Sequence, residues 1–128
     1  MNAPERPVPL LSSSPLADLA WDNAFGRLPA DFYTRLAPTA LPEPYFVAAA
    51  PAAARLLGLD PDALQRQDVV EALAGSAVVA GTDPLAAVYS GHQFGVYVPQ
   101  LGDGRALLLG GVRGGDGNLW ELQLKGAG

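Results

Sequence analysis

The sequence predicts an α+β fold, short helices packed ahead of an antiparallel sheet, and three observations carry that reading. Residues 89–128 alternate apolar runs with glycine-rich breaks: YSGHQFGVYVPQLGDGRALLLGGVRGGDGNLWELQLKGAG. Upstream, apolar stretches open on Pro15, Pro51 and Pro61, and proline suits the first position of a helix. The helical stretches all precede the strand-rich one, the order of an antiparallel sheet with helices packed before it.

Taken in order, residues 1–14 read as a flexible arm rich in proline and serine, without the basic start and long apolar centre of a signal peptide. Residues 15–88 form a helical and irregular segment. Ser14-Pro15 caps a short helix through Leu16, Leu19 and Ala20. Trp21 and Phe25, four apart, are expected to share one face and fill a core. Leu28 to Pro44 holds Pro29, Pro38, Pro42 and Pro44, too many for a long regular element, so it reads as extended and turn-broken. Arg35 within it is expected to be solvated or structural. Tyr45 to Ala48 reads as a short strand. Pro51 to Leu57 is a helix ended by Gly58, Asp60-Pro61 starts another with Leu64 inward, and Asp68 to Ala74 continues helically to a stop near Gly75. Ser76 to Leu85 is a connection broken at Gly81-Thr82-Asp83-Pro84.

Residues 89–128 are expected to form a three-stranded antiparallel sheet. Phe94 to Val98 is rich in aromatic and β-branched residues and reads as the first strand. Leu101-Gly102-Asp103-Gly104 is the tight connection to a second strand, Arg105 to Val112. Asp116-Gly117 marks a hairpin, and Asn118 to Lys125 alternates as a half-buried third strand. Its apolar face carries Trp120, Leu122 and Leu124, its polar face Glu121, Gln123 and Lys125. His92 is expected to bond local backbone, because no partner for acid–base work stands near it in sequence.

Backbone amides in a glycine turn converge on anions, and a lysine adds a mobile charge for phosphate oxygens. A glycine loop between two strands with a lysine on the third is how protein kinases hold nucleotide. A Walker loop places its lysine directly after the glycines, and Gly126-Ala127-Gly128 lacks that order. An ordinary antiparallel sheet with a snorkelling lysine fits the same pattern.

Composition narrows the field. At 128 residues and 49% hydrophobic, the chain suits one small globular domain, though much of that content is alanine. A net charge of −5 and the lack of any Lys/Arg cluster argue against nucleic acid as a partner. Without cysteine there is neither a disulfide nor a thiolate metal site, and one histidine builds no zinc centre alone. No apolar run spans a membrane, and cytoplasm is the default.

Three blocks carry a resemblance: Tyr89-Ser90-Gly91-His92-Gln93-Phe94-Gly95, then Gln100-Leu101-Gly102-Asp103-Gly104-Arg105-Ala106, then Trp120 to Gly128. Together with Trp21-Asp22-Asn23-Ala24-Phe25 and Phe32 to Thr39 upstream, they closely resemble the selenoprotein O (YdiU) family. The resemblance implies a protein-kinase-like N-terminal lobe portion and protein adenylyltransferase activity. In that activity ATP is bound in reversed orientation and AMP passes to hydroxyl side chains of target proteins. It implies ATP contacts at Gly102, Gly104, Arg105 and Lys125, with magnesium or manganese as the metal. The family's catalytic aspartate and metal ligands match no position here, so this chain is expected to hold neither and to be the incomplete N-terminal part of an enzyme. A non-catalytic nucleotide-binding fragment, kinase-like phosphoryl transfer and UMP transfer remain alternatives.

Overall fold

The computed structural model describes residues 8–101 and 106–127. Leu10–Leu11 (β1) opens that span. Ser14 then caps one tight turn: its Oγ accepts from the Leu16 N–H at 3.2 Å and its carbonyl from Ala17 at 2.9 Å. The turn does not grow into the expected helix. Ala20–Asn23 instead runs along a strand. Arg113 donates its N–H to Ala20 at 2.9 Å, Asp22 donates to Gly111 at 2.7 Å, and Trp21 bridges Val112. Backbone engaged this way alternates its side chains, so Trp21 and Phe25 do not share a helical face. Trp21 packs toward Leu109 and Leu124, while Phe25 lies 6.3 Å from the Tyr33 ring.

Two 3-10 turns, Phe25–Arg27 and Ala30–Phe32, lead into Tyr33–Arg35 (β2). A strand inside a proline-rich stretch was not expected. It fits because three residues between Pro29 and Pro38, at a sheet edge, need no N–H from either proline. Tyr45 to Ala48, by contrast, forms no strand. It lies beside Leu64, Val70 and Leu73 with no neighbouring strand among the described residues to complete a ladder.

Pro51–Leu56 (α1) and Gln67–Leu73 (α2) match expectation, with a 3-10 turn at Pro61–Gln65 whose Asp60 cap accepts from Asp62 at 3.0 Å. Both helices close through a glycine at positive φ, Gly58 at 81° and Gly75 at 83°. In each, the next residue reaches five positions back: Leu59 to Ala54 at 2.9 Å and Ser76 to Glu71 at 2.8 Å.

The remaining strands are Val78–Val79 (β3), Leu85–Ala87 (β4), Tyr89–Gln93 (β5), Val96–Leu101 (β6), Ala106–Arg113 (β7) and Leu119–Lys125 (β8). β3 pairs in parallel with β1 inside the expected connection. The larger correction concerns the three-stranded sheet. Phe94 is no strand residue: Phe94 and Gly95, at φ of 52° and 77°, turn the β5–β6 hairpin, the pattern of a two-residue primed turn. That hairpin forms its own sheet, whereas β7 and β8 belong to a four-stranded sheet ordered β2-β4-β7-β8. β6 and β7 therefore lie in different sheets instead of pairing as neighbours, and the connection expected at Gly102-Asp103-Gly104 lies outside the described residues.

α2 meets one face of the four-stranded sheet through Leu73. Leu16, Ala54, Leu59, Ala63, Val69, Ala72 and Val79 form one buried cluster, and Leu109, Leu124 and Ala127 a second, with Leu73 touching both. No helix of the described residues is long and apolar enough to cross a membrane.

Candidate functional site

β7 and β8 pair antiparallel from Arg113↔Leu119 to Ala106↔Lys125. The hairpin closes as expected over Gly114–Asn118: Asp116 accepts from the Asn118 N–H at 2.9 Å and Gly117 takes φ of 81°. Hydrogen bonds from Asn118 hold the Asp116 carboxyl below its ordinary 3.8. Between Leu108 and Gly110 the register slips, leaving Leu109 outside the ladder as a β-bulge. Leu109 faces Leu124 and Ala127, while Leu108 pairs with Gln123 and lines the other face beside Leu85 and Glu121. Gly110 has no β-carbon for a reason: one there would collide with the Asn23 side-chain oxygen. Asn23 sits there because its amide donates to Gly81 at 2.8 Å and its oxygen accepts from Gly111 at 3.2 Å.

This ladder gives β8 one buried and one solvated face. Leu124 is 7% exposed, and Glu121, Gln123 and Lys125 stand on the opposite, exposed side, as the alternation predicts. Lys125 is the sole lysine in the chain. Its cross-strand partner is Ala106, the residue that follows Arg105 in sequence. Cross-strand partners stand about 5 Å apart at their β-carbons and project to the same face.

Most other described cations are committed. Arg27 and Arg113 hold Asp22 at 2.7 and 3.0 Å, Arg35 holds Asp83 at 3.0 Å, and Arg66 holds Asp68 at 3.1 Å. Among the described residues, the Lys125 side chain makes no ion pair or hydrogen bond, a state it shares with that of Arg55 on α1. An exposed ammonium on a sheet face, with no carboxylate neutralising it, is available to an anion.

Of the four residues singled out for nucleotide, Lys125 is thus placed, whereas Gly102, Gly104 and Arg105 lie outside the described residues. The His92 ring meets Tyr97 edge-on at 5.5 Å, and no side-chain hydrogen bond to it is seen among the described residues. Arg35 is structural rather than a ligand contact. A cavity of about 230 Å³ is lined by apolar residues such as Tyr45, Phe46, Val70 and Leu73 and touches neither β7 nor β8, so it is no phosphate site. The described residues contain no group of three or more His, Asp or Glu close enough to hold a metal. They do not fit a divalent ion.

Sequence reasoning missed the segment that anchors the end of β8. Gly126, at φ of 86°, turns the chain inward. Ala127 is buried at 5% and its carbonyl accepts from the Thr39 N–H at 2.7 Å. Gly126-Ala127 carries too few residues for a pattern, and its partner lies 88 positions upstream; no local signal reports such a contact.

Comparison with known proteins supplies the family. The family described as protein adenylyltransferase SelO matches residues 15–128. A protein nucleotidyltransferase YdiU of Dechloromonas aromatica is 52% identical over 128 residues, 100% of this chain and 24% of that relative. Those of Thiobacillus denitrificans and Bordetella parapertussis are 55% and 57% identical, each over 113 residues, 88% of this chain and 23% of theirs. The chain spans about a quarter of the length of these relatives. On a match that runs from residue 15 to the last residue, the chain belongs to the SelO family.

Proposed function

We propose that this chain is the N-terminal ATP-binding portion of a protein adenylyltransferase, which transfers AMP from ATP to Ser, Thr or Tyr hydroxyls of target proteins in the cytoplasm. The single observation that carries the proposal is the Ala106↔Lys125 pairing, because it sets a lysine that pairs with no described carboxylate beside the strand that follows Gly102-Asp103-Gly104-Arg105 in sequence. Gly102 and Gly104 offer backbone amides to the phosphates, and Arg105 and Lys125 offer positive charge. In the transfer, the target hydroxyl attacks the α-phosphorus and pyrophosphate leaves. The share of this chain in that step is to orient the nucleotide and hold its charge, which are the main sources of acceleration in such reactions. The catalytic base and the ligands of magnesium or manganese would come from the remaining length that the relatives possess.

Labelled nucleotide tests the proposal in protein of the relatives' full length. Label at the α-phosphate of ATP is expected on target protein, and label at the γ-phosphate is not; the reverse would make the enzyme a kinase. Labelled UTP outcompeting ATP would reassign the base. Lys125→Ala is expected to cut AMP incorporation about a hundredfold, the scale of losing one preorganised charge. An undiminished rate removes Lys125 from the mechanism.

A further inference from the structure

We infer that Gly75, at the end of α2, positions Lys125 by acting as a steric stop for Ala127. A β-carbon at Gly75 would lie 3.0 Å from the Ala127 β-carbon and 3.1 Å from that of Pro38. Three segments therefore close on a space with no room for a methyl group: the end of α2, the Pro38-Thr39 corner and the residue two past Lys125. Ala127 is held there from both sides. Thr39 binds its carbonyl at 2.7 Å, and its methyl packs among Leu109 and Leu124.

Lys125 stands between this anchor and the ladder. On one side it is the last paired residue of β8, opposite Ala106; on the other, only Gly126 separates it from Ala127. Glycine at φ of 86° transmits a displacement readily, since no side chain restricts its torsions. Pushing Ala127 outward must therefore rotate Gly126 or fray the Ala106↔Lys125 pair. Either change re-aims the Lys125 stem. A lysine whose base is fixed within about 0.5 Å presents a preorganised charge; one on a frayed strand end does not. The consequence for nucleotide rests on the function proposed above, whereas the stop itself does not.

The chain provides its own probe and control. As the only lysine, Lys125 gives a single amide signal in the 128-residue chain labelled with nitrogen-15 lysine. Gly58 ends α1 in the same left-handed conformation, at φ of 81°, but a β-carbon there meets nothing within 4 Å. Gly58→Ala thus reports backbone strain alone, and Gly75→Ala reports the same strain plus displacement of Ala127. We expect Gly75→Ala to shift the Lys125 signal and Gly58→Ala to leave it in place. Combining Gly75→Ala with Ala127→Gly, which removes the methyl that would be struck, should return the signal most of the way. Ala127→Gly alone, which adds no bulk, should free the strand end and speed Lys125 amide exchange.

A Gly75→Ala shift no larger than that of Gly58→Ala overturns the stop. So does a double variant that stays displaced, or unchanged exchange in Ala127→Gly. Titration with ATP then reads the consequence: Gly75→Ala should weaken the response of the Lys125 signal about tenfold, and the double variant should recover it. A signal that ignores ATP in the unsubstituted chain overturns the nucleotide proposal, and the nucleotide-free spectra still decide the stop.

Discussion

The donors of the Arg35 guanidinium meet partners on three sides. Nε and Nη2 donate to the two Asp83 oxygens at 3.0 and 3.1 Å, Nη2 also to Gly26 O at 3.0 Å, and Nη1 to the Tyr33 hydroxyl at 3.1 Å. The Asp83 bonds, then Tyr33, raise its pKa further above an already high value. Only a planar fork satisfies these directions together, so Arg35→Lys keeps the charge and loses the geometry. Its melting temperature should fall by a few degrees, close to that of Arg35→Ala. A lysine variant that melts with the parent would mean charge alone suffices. Asp22 makes a second test, through pH. Hydrogen bonds from Arg27 first and Arg113 second hold its carboxyl below the ordinary 3.8, against partial desolvation. A depressed folded-state pKa contributes stability that is complete above 3.8 and is lost as pH falls through the folded value. Urea midpoints of the parent and Asp22→Asn should therefore differ near neutrality and converge as pH drops below 3.8. A gap that persists into acid would assign the effect to shape rather than charge.

The secondary-structure elements differ in how far local sequence determined them. α1, α2 and β8 were legible because their information is local: a proline start for α1, a glycine stop for both helices, and strict alternation from Leu119 to Lys125 for the strand. The expected helix after Ser14 failed because Ala20–Asn23 found better use for its amides on β7, a partner some ninety residues away. β1 and β3, two residues each, have no periodicity to detect. The glycine reading erred in a specific way. Asp116-Gly117 matched its turn, whereas Phe94-Gly95 was passed over because phenylalanine is a strand former and a poor occupant of positive φ. A turn at Phe94-Gly95 pairs β5 with β6, so the expected three-strand meander becomes a separate hairpin followed by a sheet. Lys125 kept its predicted face throughout, since alternation depends on β8 alone.

At the scale of the whole molecule, that regrouping divides the β structure into unequal parts. β7 has strand neighbours on both sides and α2 against one face, and its Leu107 and Val112 are fully buried. The β5–β6 hairpin has neither among the described residues: Tyr89, Phe94, Val96 and Tyr97 are 56–98% exposed, and none of its described side chains joins a buried cluster. A two-stranded ribbon without a packed face is marginal in water. Amides in β5 and β6 should therefore exchange about a hundredfold or more faster than those in the β7–β8 ladder, because local opening of the ribbon disturbs no core. The turn offers an independent handle on the same quantity. Phe94 at φ of 52° carries a left-handed backbone that asparagine adopts more easily, by about 1 kcal/mol. Phe94→Asn should slow exchange in β5 and β6 several-fold and leave β7 and β8 unchanged. Equal protection of the ribbon and the ladder in the parent chain would show that the hairpin is docked on the body after all, and its exposed aromatic residues would then need a partner.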